Sequence, residues 1–201
     1  MHTYTKEQEK DIRRPITRSI LKQLLMLRQS DLPDYNNDVF YLIYMLMYRM
    51  ALRVSEVTNY SSKFQHALAL GDIQFNFFAS TLRVTIRSYK NSSQSKVFDL
   101  PLSGMSRTIM DRFLQARGNE QGQLFIHQSG KIYTRSLIVK TLRADLRKLG
   151  YNAEAYNTHS FRIGRTTDLA NDGYSELQIA ELGRWTSNAY LKYIRNRIIQ
   201  A

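Results

Sequence analysis

The sequence predicts a mainly α fold of the α+β class, a set of helices carrying one small three-stranded antiparallel β-sheet. Apolar residues recur at helical spacing before residue 52 and again after residue 103, while residues 71–102 switch to strand-like alternation. Gly118, Gly122, Gly130, Gly150 and Gly173 punctuate the second half, as breaks between short helices would. With 201 residues and 43% hydrophobic content the chain can bury one sizeable core, so a single domain is expected.

Residues 1–14 are polar and charged, end on Arg13-Arg14 before Pro15, and read as a flexible arm or linker remnant ahead of a domain over 15–201. Ile20, Leu21, Leu24 and Leu25 then mark a first helix from Ile16 onward, with Thr17 or Ser19 as its N-cap. Residues 31–37, including Pro33, read as a loop. Val39, Leu42, Ile43, Leu46, Met47, Met50 and Ala51 form a helix buried on most of its surface, leading straight into Arg53. Strands are expected over 72–75, 82–86 and 97–100, the last two joined by a polar, Ser-rich turn at 91–95. Helices follow near 104–117, 134–149, 158–172, 175–183 and 187–199. There is no internal repeat, heptad array or low-complexity tract.

Lys and Arg number 29 against 17 Asp and Glu, a formal charge of +12 and a pI near 9.9. Such an excess points to a polyanion, and nucleic acid, whose phosphates release counterions to Lys and Arg, suits it best. A basic RNA-binding or ribosomal protein would share the charge. The absence of cysteine excludes disulfides and thiolate metal sites. No apolar run approaches the roughly 18 residues of a membrane span, and MHTYTKEQEK has no signal-peptide core. The expectation is a soluble intracellular protein without a membrane partner, nuclear in a eukaryote and cytoplasmic in a prokaryote. The four histidines, His2, His66, His127 and His159, lack HExxH or paired spacing, so metal-dependent hydrolysis is poorly supported.

Three segments place unusual polar groups beside apolar helix faces. They are Ala51-Leu52-Arg53-Val54-Ser55-Glu56-Val57, Thr158-His159-Ser160-Phe161-Arg162, and the run from Leu182-Gly183-Arg184-Trp185 to Tyr190 and Tyr193-Ile194-Arg195. Taken alone, each has a bland reading. An arginine ending an apolar helix is more often a solvated cap, and most of the thirteen tyrosines must be core or surface aromatics. His159 and Arg162, three apart, share one helix face and can grip one anion.

The order of these parts, with a Lys-bearing hairpin between the first and second, resembles the tyrosine recombinase (integrase) family over about residues 14–195. Within it the likeness is greatest to recombinases of Crypton and DIRS-like mobile elements, which have similar His-Ser-Phe-Arg, Gly-Arg-Trp-x-Ser and Tyr-Ile-Arg segments. The resemblance implies the family's catalytic-domain fold and DNA strand cleavage and rejoining through a 3′-phosphotyrosyl link, as in site-specific recombination or integration. Relaxation of the type IB topoisomerase kind, or a DNA-binding derivative without catalysis, are the alternatives.

Carried over by position, the resemblance makes Arg53 and Arg162 the clamp on the scissile phosphate and His159 its hydrogen-bonding or proton-transfer partner. Guanidinium forks fit that task because they offer paired donors and stay charged. The general acid is a lysine of the hairpin turn, Lys90, with Lys96 as competitor. Tyr193 is the nucleophile, ten residues after Gly183, and Tyr190 is expected to pack. At the remaining position spacing selects Arg184, whereas residue identity and its indole N–H select Trp185. Glu56 orients Arg53 or pairs elsewhere on its helix.

The resemblance implies no metal or nucleotide cofactor and no small-molecule substrate. It names double-stranded DNA as partner, and self-association to a tetramer on it. The family's N-terminal clamp domain has no counterpart here, so a fragment or an unusually small recombinase is expected.

Overall fold

The computed structural model describes residues 13–58, 67–87, 95–185 and 187–194. Helix α1 spans Arg18–Arg28, with Thr17 as the N-cap whose hydroxyl accepts from the Ile20 amide. Helix α2 spans Tyr35–Arg49, starting earlier than the apolar pattern suggests. Asp34, just after Pro33, is the cause: its carboxylate accepts from the Asn37 amide at 2.9 Å and turns half of the expected loop into a first helical turn.

Every α2 residue from Asp38 to Tyr48 is buried, because α1, α4 and α6 all pack against this helix. A helix apolar on all sides belongs at the centre of a domain. Each fully buried large side chain there, among them Leu42, Ile43, Leu46 and Met47, contributes about 1.5–3 kcal/mol. Polar groups buried along this helix are matched. Asp38 receives Arg112 of α4, and the Tyr44 hydroxyl donates to Asp145 at 2.7 Å.

A single-turn helix α3, Val54–Val57, follows and is too short to leave a periodic signal. Strands β1 (Ile73–Asn76), β2 (Thr81–Ile86) and β3 (Lys96–Pro101) form the antiparallel sheet in the order β1-β2-β3. Leu82, Val84 and Ile86 face the core. On the outer face the register sets Arg83 opposite Asp99, a two-bond pair at 2.7 and 2.9 Å. The turn expected to carry Lys90 lies outside the described residues.

Helices α4 (Met105–Arg117), α5 (Arg135–Lys148), α6 (His159–Asn171) and α7 (Glu176–Gly183) complete the framework. Residues 14–16 run beside α6, where the Ile16 amide donates to the Ser160 carbonyl at 2.9 Å. A Cβ on Gly164 would stand 1.7 Å from the Ile16 carbonyl oxygen, so only glycine permits this approach. The helix expected over 187–199 is, in its described part, a 3₁₀ segment at Asn188–Tyr193. It packs in a small separate cluster, Leu169, Ile179 and Tyr190 with Trp185 against them, not in the main core. Among the described residues no helix is long and apolar enough to cross a membrane.

Candidate active site

The site forms where the end of α2, the start of α6 and the end of α7 meet. Between α2 and α3 the chain makes an elbow with Ala51 at φ 46°, a left-handed conformation uncommon for alanine. That turn aims the Ala51 carbonyl inward and delivers Arg53 as the N-cap of α3.

Arg162, one turn into α6, is fully buried. Its Nη1 donates to the Ala51 carbonyl at 2.5 Å and its Nη2 to the Gly183 carbonyl at 2.6 Å, so one side chain ties the elbow to the end of α7. Burial, and after it the charges of Arg53 and Arg184, lower its pKa to about 9, with Glu56 and Tyr193 opposing. It therefore remains a cation at neutral pH.

Glu56 is almost completely buried beside it. One of its oxygens accepts from the Arg53 amide at 2.6 Å and from Arg184 Nη2 at 2.7 Å; the other faces Arg53 Nη1 at a longer 3.4 Å. Glu56 thus holds both Arg53 and Arg184. Three guanidiniums against one carboxylate leave a formal surplus of +2 in a poorly hydrated pocket, an arrangement that attracts an anion.

The aromatic side of the site comes from the other end of the chain. Trp185 lies flat on Gly183, where an added Cβ would stand 1.6 Å from the indole, and its ring faces the Arg162 guanidinium carbon at 4.0 Å. The Tyr193 ring is 5.1 Å from Trp185 and 4.9 Å from His159, centre to centre, and 5.7 Å from the Arg162 guanidinium carbon. Thr167 of α6 donates its hydroxyl to the Tyr193 carbonyl at 3.1 Å, fixing the backbone there. Tyr190 points elsewhere: it is buried and its hydroxyl donates to Glu176 at 2.6 Å.

Arg53, His159, Arg162, Trp185 and Tyr193 are therefore gathered in one place. Arg184, the alternative to Trp185, lies behind them. As the C-cap of α7 it takes φ 57°, ψ 45°, and this left-handed turn sends its side chain inward to Glu56 and to the Met50 carbonyl at 3.0 Å. Lys90 falls outside the described residues, and Lys96 is ion-paired with Glu181. Thr167 and the backbone carbonyls of Ala51 and Gly183 went unforeseen. A carbonyl's aim has no signature in residue type.

The fold has counterparts in solved structures. The crystal structure of the XerH site-specific recombinase bound to difH substrate, a pre-cleavage complex, superposes with a TM-score of 0.71 at 15% identity, over 92% of this chain and 52% of that one. XerA recombinase gives 0.68 at 16% identity, over 96% and 62%. The Tn1549 transposon integrase in complex with transposon right end DNA gives 0.57 at 16%, over 94% and 63%. The chain thus spans roughly half to just under two thirds of the length of these proteins. A sequence search of curated proteins finds no match. The sequence profile described as the phage integrase family matches residues 17–196, a span holding all of the gathered side chains, and by that match the chain belongs to the phage integrase family, the tyrosine recombinases.

Proposed function

We propose that this protein cuts and rejoins duplex DNA, with Tyr193 as nucleophile, in the site-specific recombination or integration of a mobile element. The observation that carries this reading is the Tyr193 ring set against His159, Trp185 and the Arg162 guanidinium within 4.9 to 5.7 Å, beside a site of surplus positive charge. Related folds solved with difH substrate and with transposon right end DNA support duplex DNA as the substrate.

In the proposed reaction the Tyr193 oxygen attacks the phosphorus and the P–O5′ bond breaks, leaving a 3′-phosphotyrosyl link and a 5′-hydroxyl. His159 takes the phenol proton, and Lys90, whose role rests on the family resemblance, protonates the departing O5′. Arg53 and Arg162 bind the non-bridging oxygens, where negative charge grows in the transition state, and the Trp185 indole N–H supplies a further donor. Rejoining is the reverse step with a 5′-hydroxyl from another strand. One phosphodiester is exchanged for another, so no external energy source enters. Exchange between two duplexes further calls for self-association, as a tetramer, of a catalytic domain spanning residues 15–201.

The test is a pool of nicked duplexes with randomised sequence, incubated with the full chain and screened for protein–DNA adducts that survive denaturation. Wild type and Tyr190→Phe are expected to form the adduct and Tyr193→Phe to lose it. An adduct that survives Tyr193→Phe but not Tyr190→Phe would overturn the nucleophile. Tight, salt-sensitive binding with no adduct at all would overturn strand cleavage itself.

A further inference from the structure

Arg184 stands where a left-handed backbone would ordinarily call for glycine or asparagine, and its side chain is wholly shielded from solvent. Its Nη2 is held by the Glu56 carboxylate at 2.7 Å and its Nη1 by the Met50 carbonyl at 3.0 Å. We propose that Arg184 is a positioning residue for Arg53, acting through Glu56 and never touching DNA. The inference rests on the strand-cleavage reading above and assigns one more residue to it.

Glu56 has two arginine partners, and losing one changes its pull on the other. A carboxylate this deeply buried needs cationic and hydrogen-bonding partners. Arg184 supplies a full charge-assisted bond at 2.7 Å, while the Arg53 guanidinium is held only at 3.4 Å and keeps 27% of its side chain exposed. Glu56 is thus largely satisfied from behind, and the Arg53 fork stays open on the side where substrate would lie. With Arg184 gone, the same carboxylate would draw the Arg53 guanidinium onto itself and away from the phosphate. Arg184 also fastens the elbow directly, through the Met50 carbonyl at 3.0 Å.

Two features make the idea testable. Glycine suits the backbone at this position, so Arg184→Gly removes the guanidinium without straining the turn. Glutamine at position 56 keeps an oxygen that can accept from the Arg53 amide but has no charge with which to capture its side chain. The harm done by losing Arg184 should therefore be relieved by removing the charge of Glu56, which loss of packing alone would not predict.

The experiment uses the nicked duplex selected by wild type and reads the single-turnover rate of adduct formation, DNA affinity across salt concentrations, and the thermal midpoint. Arg184→Gly is expected to slow adduct formation about 10- to 100-fold, the size of a misplaced catalytic group, with the salt dependence of binding unchanged. Adding Glu56→Gln to that variant is expected to recover most of the lost rate. Arg184→Lys, which keeps Glu56 neutralised, should stay nearer to wild type and serves if Arg184→Gly folds poorly. An Arg184→Gly rate equal to wild type overturns the proposal. A salt slope reduced by about 0.9, the loss of one phosphate contact, overturns it by making Arg184 a DNA ligand. Failure of Glu56→Gln to recover rate overturns the relay. A wild type that forms no adduct overturns strand cleavage, and this inference with it.

Discussion

The guanidinium carbon of Arg162 lies 4.0 Å from the Trp185 ring, so a fully buried cation has an aromatic face against it where solvent would otherwise be. A desolvated contact of this kind is worth about 2 kcal/mol. Trp185→Ala is expected to lower stability by about that amount and to slow adduct formation about 10- to 100-fold by letting Arg162 shift, and Trp185→Phe by less, since a ring remains but the indole donor is lost. Single-turnover cleavage at saturating protein decides this. A Trp185→Ala rate equal to wild type would reduce Trp185 to a packing residue.

Arg162 should also set an alkaline limit on anion binding. Its pKa is lowered to about 9 by burial first and by Arg53 and Arg184 next, so its charge is intact below that pH and lost as pH rises through it. The stability effect has the opposite sign. The folded pKa lies below the unfolded one, so burying this charge costs stability in full below about pH 9, and the cost is relieved from there up to the ordinary arginine range. The affinity of Tyr193→Phe protein for its duplex, followed from neutral pH upward, is expected to fall around pH 9. Arg53→Met should move the fall to higher pH by removing a repelling charge. A midpoint that Arg53→Met leaves in place would show that another group titrates.

Away from the site, Asp145 ties three helices together. It is fully buried and receives Arg28 of α1 through Nε and Nη2 at 2.8 and 2.6 Å, together with the Tyr44 hydroxyl of α2. Burial and the Asp145 charge accordingly raise the Tyr44 pKa well above its usual value. Asp145→Asn leaves the half-buried Arg28 guanidinium, 15% exposed, without its counter-ion and is expected to cost about 3 kcal/mol in urea denaturation. The adduct rate per folded molecule should be unchanged, because none of the site's described residues is bonded to Asp145, Arg28 or Tyr44.

How much of this was readable in advance differs from residue to residue. Arg53, His159, Arg162 and Tyr193 stood out because each is embedded in a short local pattern whose order along the chain is informative. The central helix was plain from its apolar residues, but its start was hidden by Pro33, whose cap at Asp34 acts through one side-chain bond. For the remaining position, spacing pointed to Arg184 and donor chemistry to Trp185. Their placement turns on a backbone dihedral that neither signal carries: the left-handed turn falls on Arg184 and not on the neighbouring Gly183, which sends Arg184 inward and leaves Trp185 beside Tyr193. Glycine at 183 is instead required by the indole resting on it. Tertiary contact overrides the local preference at both positions.

A comparable override at Gly164 gives the sharpest stability test. The residue sits inside a helix, where alanine would normally be favoured by about 1 kcal/mol, yet a Cβ there would meet the Ile16 carbonyl oxygen at 1.7 Å and the Ile16 carbonyl carbon at 2.4 Å. Since both atoms are backbone, no side-chain rotation relieves the clash. Gly164→Ala should therefore destabilise the protein by about 1–3 kcal/mol, reversing the sign that helix propensity gives. Separation of residues 14–16 from α6 is the cheapest relief, at the expense of the bonds from the Arg14 amide to Ala155 and from the Ile16 amide to Ser160. Limited trypsin digestion should then cut at Arg13, Arg18 or both faster than in wild type, ahead of global unfolding. A Gly164→Ala protein as stable as wild type, with the same cleavage pattern, would mean that the close approach of this segment to α6 is not a feature of the folded state.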